Sequence, residues 1–436
     1  MPSPKKRSMK KRIAIVALVI FHYQFADAQN LVNGELKNLL QQSLNYFPKV
    51  KEVQQSVQLA EDKLKLTELN KYPDVTLDAS YAYVKPKIEV AFGDNMFQFA
   101  PVHNIAGSLN GTYTLFDFGR LKANIEKSKY ELQTATHIAA QLKASLFTQV
   151  SQLYYQIIYA KKAIEIQDQV LLLFAENKKI LDIQLQNGNA IKLDVLTIQS
   201  KIDNELNKKI DLETNLKKLL NLLHYATGVN TIKDGVLKIA LKNYNMEEAI
   251  QLAILNNPSL AIAKDKVNIS KSDVSITKLN ERPIVGMKAS MGSRNGYLPK
   301  INDPRFNYNA GIGFSVPLFN GGKIKQQIKI QEQGVALNET MVTSILHDFE
   351  KDIQAALIDI NSSESRISNA ASQIEQASLA QKLSVSKLKN GTATPIEITT
   401  ANTDYQRALL NQLQYQYQLC NAQLELARLI GLDLVD

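Results

Sequence analysis

The stretch Tyr308-Asn309-Ala310-Gly311-Ile312-Gly313-Phe314-Ser315-Val316-Pro317-Leu318-Phe319-Asn320-Gly321-Gly322 decides the fold, because the periodicity of the sequence changes at its end. Up to Val316, apolar residues fall on every second position, with Asn309, Gly311, Gly313 and Ser315 between them. That is the pattern of a strand with one apolar and one small or polar face. After Gly322 the spacing lengthens to threes and fours, and no proline occurs until Pro395. The same alternation occurs at Val75, Leu77, Ala79, Tyr81 and Tyr83, at Ile105, Leu109, Tyr113 and Leu115, and at Val285, Met287, Ala289 and Met291. Strands are thus expected near 74–84, 104–115, 284–291 and 307–317. Each has about 10 residues, the length a tilted strand needs to cross a bilayer. A soluble sheet with one wet face explains any one of them; four in one exported chain favour a barrel wall. Four strands cannot seal a barrel, and an open edge is untenable in lipid, so several chains must contribute.

The flanking helices are long. From about Gly119 to Gln186 and from about Gly322 to Lys389 no proline intervenes, and Leu146, Val150, Leu153, Ile157, Ala160 and Ile164 trace a narrow apolar seam. At 1.5 Å rise per residue each helix is roughly 100 Å long, a coiled-coil pattern far from the usual helix of about 11–12 residues.

The chain is also a tandem repeat. Gly119, Gly188 and Gly228 return as Gly322, Gly391 and Gly431, each shifted by 203, while Pro48 and Pro73 return as Pro258 and Pro283, shifted by 210. The seven extra residues lie in the first half, between Pro73 and Leu115. The expected organisation is a signal peptide over 1–28, a first repeat over 29–228, a linker over 229–244 and a second repeat over 245–436. Hairpin tips fall near 187–190 and 390–393. The signal peptide reads from six basic residues between Lys5 and Arg12, the short apolar run Ile13–Phe21 and the small residues of Ala26-Asp27-Ala28.

Removing that segment takes six of the 51 Lys and Arg and one of the 42 Asp and Glu, so 45 cations face 41 anions. The near balance argues against a nucleic-acid partner. Cys420 is the only cysteine and forms no internal disulfide. His103, His137, His224 and His347 lack metal-ligand spacing, and no nucleophile elbow, P-loop or dinucleotide fingerprint occurs. No enzyme and no cofactor is therefore expected.

Taken together, the tandem halves, Leu318-Phe319-Asn320-Gly321-Gly322 and the tips Gln186-Asn187-Gly188-Asn189-Ala190-Ile191-Lys192-Leu193-Asp194 and Lys389-Asn390-Gly391-Thr392-Ala393-Thr394-Pro395-Ile396-Glu397 resemble the TolC-like outer-membrane efflux family. The resemblance implies a mainly α fold with a transmembrane β-barrel. Three chains would share a 12-stranded barrel above a 12-helix coiled-coil tunnel. It also implies an outer-membrane location with a long periplasmic portion, outer-membrane lipid around the barrel, and loops Lys85–His103 and Gly292–Arg305 outside the cell. Expected partners are a periplasmic adaptor (membrane fusion) protein docking at Asn187, Gly188, Asn390, Gly391 and Thr392, and an inner-membrane transporter of RND, ABC or MFS type. The function implied is a passive exit duct for efflux or type I secretion; an exported coiled-coil scaffold or adhesin is the alternative.

The resemblance makes Glu397 the position of an acidic ring at the narrow end, with Thr400 where a second acid often stands. Asp194 is the third constriction candidate, though it reads first as a solvated or first-turn helix carboxylate. Glu397 also fits a capping box with Thr394 and Pro395. Asp117, Gly119, Asn320, Gly321 and Gly322 are expected at the strand-to-helix junctions, the first and third as caps.

Overall fold

The computed structural model describes residues 32–434; the expected signal peptide lies outside them. Eight helices occur among these residues, and the chain is mainly helical. The first half runs α1 (Gly34–Tyr46), α2 (Pro48–Leu69), β1 (Asp74–Tyr83), β2 (Glu89–Phe92), β3 (Asn95–Gln98), β4 (His103–Phe116), α3 (Arg120–Gln186) and α4 (Lys192–Thr227). The second runs α5 (Met246–Asn256), α6 (Pro258–Leu279), β5 (Ile284–Arg294), β6 (Arg305–Ser315), α7 (Lys323–Lys389) and α8 (Pro395–Leu429). Helices α3 and α7 each have 67 residues, and α2 and α6 each have 22.

These elements form two compact units. The first, over 32–51, 140–258 and 346–434, has a dense apolar core. Leu36 and Leu40 of α1, Leu146, Val150, Tyr154, Ile157 and Ile158 of α3, Leu223 of α4 and Leu424 of α8 are buried together. The expected narrow seam on α3 is here a broad arc that also takes in Phe147, Ser151 and Tyr155. The reason is local: α1, α4, α8 and the irregular segment between α4 and α5 all contribute to this core. Ile232 and Ile239 of that segment are buried, and its backbone is pinned by polar groups. Tyr155 Oη donates to Lys238 O at 3.1 Å, and the Lys233 N–H donates to Glu35 at 2.8 Å. Asn257 closes α5 with its N–H on Ala253 O and donates its side-chain amide to Leu429 O at 2.9 Å.

The second unit, over 52–139 and 259–345, holds the strands. One antiparallel sheet runs β1-β4-β5-β6. The region 85–103, expected as a plain loop, contains the separate hairpin β2–β3. Here α6 buries Leu260, Ile262, Ala263 and Val267, and polar pairs add to the helix contacts. Thr67 contacts Ser128 at 3.2 Å, Lys127 pairs with Asp273 at 2.8 Å and His137 with Asp265 at 2.6 Å. No residue of α2 is buried.

Candidate functional site

The register of the sheet sorts every strand residue onto one of two faces. Leu77 lies opposite Leu109, which lies opposite Met291, which lies opposite Tyr308. Tyr113, Met287 and Ile312 form a second such row, and Tyr81 with Ile105 another. In the Leu77 row apolar side chains thus run across all four strands, while Gly107, Gly111 and Ser293 interrupt the neighbouring rows of the same face, since opposite residues in a ladder share a face. The other face carries Thr76, Asp78, Ser108, Asn110, Thr112, Lys288, Ser290 and Asn309. In the single chain the apolar face is exposed: Leu77 by 78%, Tyr308 by 79% and Ile312 by 71%. A bulge between Thr114 and Phe116 alters the expected alternation, so that Phe116, not Leu115, lies opposite Val285. Strands β1 and β6 are the sheet's edges.

The strand-to-helix junctions use the expected residues in different ways. Asp117 is a true cap: its carboxylate accepts from the N–H groups of Gly119 (3.0 Å) and Leu121 (2.5 Å). Arg120 then donates to Leu279 O at 2.7 Å, tying α3 to the end of α6. At the second junction the cap expected of the Asn320 side chain is replaced by its carbonyl, which accepts from Lys323 N–H at 3.2 Å. Gly321 and Gly322 both take positive φ there, so backbone shape alone turns the chain into α7.

The two hairpin tips share a construction. Gly188 (φ 77°) and Gly391 (φ 69°) sit in the left-handed region, which a Cβ would strain. Each tip is then locked by the acid six residues later. Asp194 accepts from Ile191 N–H at 3.0 Å; Ile191 has no side-chain acceptor, so only the returning half of a capping box exists. Glu397 accepts from Thr394 N–H at 2.9 Å while Thr394 Oγ1 accepts from Glu397 N–H at 3.3 Å, a complete box with Pro395 in the first turn. Thr392 anchors its turn with Oγ1 on Lys387 O at 3.1 Å. Asn187 and Asn390 close their helices through backbone N–H groups on Ile183 and Ser386. Both tips join one apolar cluster, with Phe174 and Leu181 from α3, Ile198 from α4, Leu388 from α7 and Ile398 from α8. Gln184 also donates to Leu388 O at 2.6 Å. Asp194, Glu397 and Thr400 are therefore at the same end of this unit, Glu397 and Thr400 exposed and Asp194 half-buried.

The family model for outer membrane efflux proteins matches residues 39–229 and 249–432, nearly all of both halves. The chain belongs to the outer membrane efflux protein family. Toxin and drug export protein A of Aggregatibacter actinomycetemcomitans is 26% identical over 263 residues, covering 58% of this chain and 55% of that protein. The chain thus spans about half the length of the first curated relatives it matches. Among solved structures, the outer-membrane channel OprN superposes with TM-score 0.81 at 16% identity, covering 94% of this chain and 92% of its own. VceC of Vibrio cholerae gives 0.78 at 17% identity, covering 92% and 97%. The fold of the chain is that of outer-membrane channels.

The chain also carries a buried polar cluster that sequence reading missed. Glu205 of α4 is fully buried. Its carboxylate accepts from Gln167 of α3 (2.9 Å), Gln406 of α8 (3.0 Å) and Lys208 (2.9 Å). Burial pushes this carboxyl up, but the hydrogen bonds from Gln167, Lys208 and Gln406 outweigh it and hold it below the ordinary range. The only sequence signal was a Glu at a position whose helical neighbours Ile198 and Ile202 face inward, easily passed over in a Lys-rich helix. Among the described residues no group of His, Cys, Asp and Glu is placed to hold a metal, and no helix is long and apolar enough to cross a membrane. Burial pushes the Cys420 thiol up to about 12, so it is a packing residue and no nucleophile.

Proposed function

We propose that this chain is the passive outer-membrane exit duct of an exporter. Three copies would each contribute the sheet β1-β4-β5-β6 to a 12-stranded barrel, with the paired long helices forming a periplasmic tunnel below. The observation that carries this reading is the exposed, largely apolar face of a sheet whose edges β1 and β6 each pair on one side only. Such a face is a liability in water and the required surface in lipid, and closure with sister chains removes both edges. Two chains would give eight strands, a barrel filled by its own side chains; three leave a lumen. The matching order and lengths of elements in the halves support a structural tandem repeat. The four helices gathered at the Gly188 and Gly391 tips support these as the narrow end and the docking point for a periplasmic adaptor working with an inner-membrane transporter. Relatives named for toxin and drug export and for cation efflux fit an export role. A scaffold or adhesin would have no use for an apolar sheet face, so the duct is preferred.

The test is purification from membranes followed by electrophoresis and planar-bilayer recording. The expected result is an SDS-resistant oligomer with discrete conductance steps. A protein released by salt alone, monomeric and silent in bilayers, would refute the reading. Glu397→Ala should further alter cation selectivity; unchanged currents would leave Glu397 as a cap only.

A further inference from the structure

Across the four-stranded sheet the two hairpins end differently. At the end of the first, the polar face carries Ala82 opposite Asn104. At the end of the second, the same face carries Arg294 directly opposite Arg305. Like charges at directly opposed positions of an antiparallel pair repel, so the arrangement costs stability unless something neutralises it. Among the described residues no carboxylate does. The loop's own acid, Asp303, lies 4.0 Å from Lys300 instead.

Both guanidinium groups are held in place. Arg294 donates through Nε to Tyr297 Oη at 3.0 Å and lies over the Tyr297 ring, 5.1 Å from its centroid. Arg305 donates through Nη1 to Leu298 O at 3.1 Å. The loop presenting those partners is itself fixed. Buried Asn295 donates to His103 O at 2.6 Å and accepts from Ile105 N–H at 2.9 Å, and Gly296 N–H meets Ile301 O at 2.6 Å. The bonds leave Arg294 its Nη1–Nη2 edge and Arg305 its Nε–Nη2 edge. Each is a two-donor fork of the kind that grips an oxyanion.

We propose that Arg294 and Arg305 form a binding site for a multivalent oxyanion of the phosphate type, one site per chain at the outer end of the polar face. The pair lies on the face opposite Phe306 and Tyr308. The anion is therefore a solute on the polar side and not a lipid headgroup. That side assignment rests on the duct reading; the binding itself does not. In a trimer the three sites would ring the outer mouth of the lumen and attract anionic cargo or the anionic groups of larger cargo.

The test is calorimetric titration of inorganic pyrophosphate into the full protein in phosphatidylcholine nanodiscs. Binding is expected, weakened about tenfold or more in R294Q/R305Q. That variant removes a repulsion together with the surface contacts to Tyr297 and Leu298, changes small enough that it should still fold. K300Q, which removes a nearby cation outside the pair, should bind as the parent does. No binding by the parent, equal binding by the double variant, or an equal loss in K300Q would overturn the site. Replacing part of the lipid with phosphatidylglycerol should leave binding unchanged; competition there would make the ligand a headgroup and overturn the polar-side assignment. A protein that binds pyrophosphate but never conducts would fail the duct reading and keep the site.

Discussion

The two units of this chain solve opposite problems with the same kinds of residue. In the helical unit Tyr154, Phe174 and Leu223 are completely buried, and even charge is brought inside when Glu205 is fully hydrogen-bonded. In the strand-bearing unit Leu77, Tyr308 and Ile312 stand out from the sheet, and Lys–Asp and His–Asp pairs supplement a smaller buried apolar set on α6. The difference teaches that hydrophobicity does not fix which side of a residue is inside. A single chain can finish one core by itself while leaving another apolar surface for lipid and sister chains to cover.

That contrast can be broken first at a fully buried aromatic of the helical unit. Phe174→Ala should destabilise by about 3–5 kcal/mol, read from chemical denaturation in detergent. The matching deletion on the sheet, Leu77→Ala, should change the same midpoint by no more than about 0.5 kcal/mol. A comparable loss from both would erase the distinction between the units.

Next in size is a change that only lipid would notice. Leu77→Arg should cost about 2–4 kcal/mol near the bilayer midplane and lower the amount of oligomer assembled in membranes. Thr76→Arg, one position away on the polar face, should assemble normally.

Glu205→Ala should cost about 2–4 kcal/mol, because Gln167 and Gln406 lose a buried acceptor. The folded carboxyl titrates below its ordinary value, so its contribution is complete above that value and is lost as pH falls through the lowered pKa. Unfolding midpoints of the parent should therefore drop more steeply below about pH 4 than those of Glu205→Gln. Parallel curves would remove the charge from the account.

The smallest effect belongs to the tips. Thr394→Ala should cost about 1 kcal/mol by opening the capping box, against little for Thr392→Val, whose hydroxyl only braces the turn. Amide exchange at residues 395–399 would report it.

Strands and long helices were legible because period 2 and period 3.6 are local properties, and the prolines and glycines punctuate them. Glu397 and Asp117 were legible as caps because a cap needs only a short acceptor next to a helix start. Asn320 was misread as a side-chain cap: with Gly321 and Gly322 following, the backbone turns without its amide. The bulge that brings Phe116 opposite Val285 left no trace in the alternation of Tyr113 and Leu115. Glu205 was hard to see for a different reason: besides Lys208 on its own helix, its partners Gln167 and Gln406 lie 38 and 201 residues away, and only the tertiary packing of α3, α4 and α8 supplies them. The Arg294–Arg305 pair likewise exists only through the strand register.

The most direct measurement places a fluorophore on single cysteines, in a Cys420→Ser background, at Leu77, Tyr308 and Ile312 and at Thr76, Asn309 and Ser290. The protein is reconstituted in bilayers containing spin-labelled lipid. Quenching by lipid at the first three positions and by a water-soluble quencher at the second three is the predicted result. Equal access of water to both sets would contradict a membrane-facing sheet.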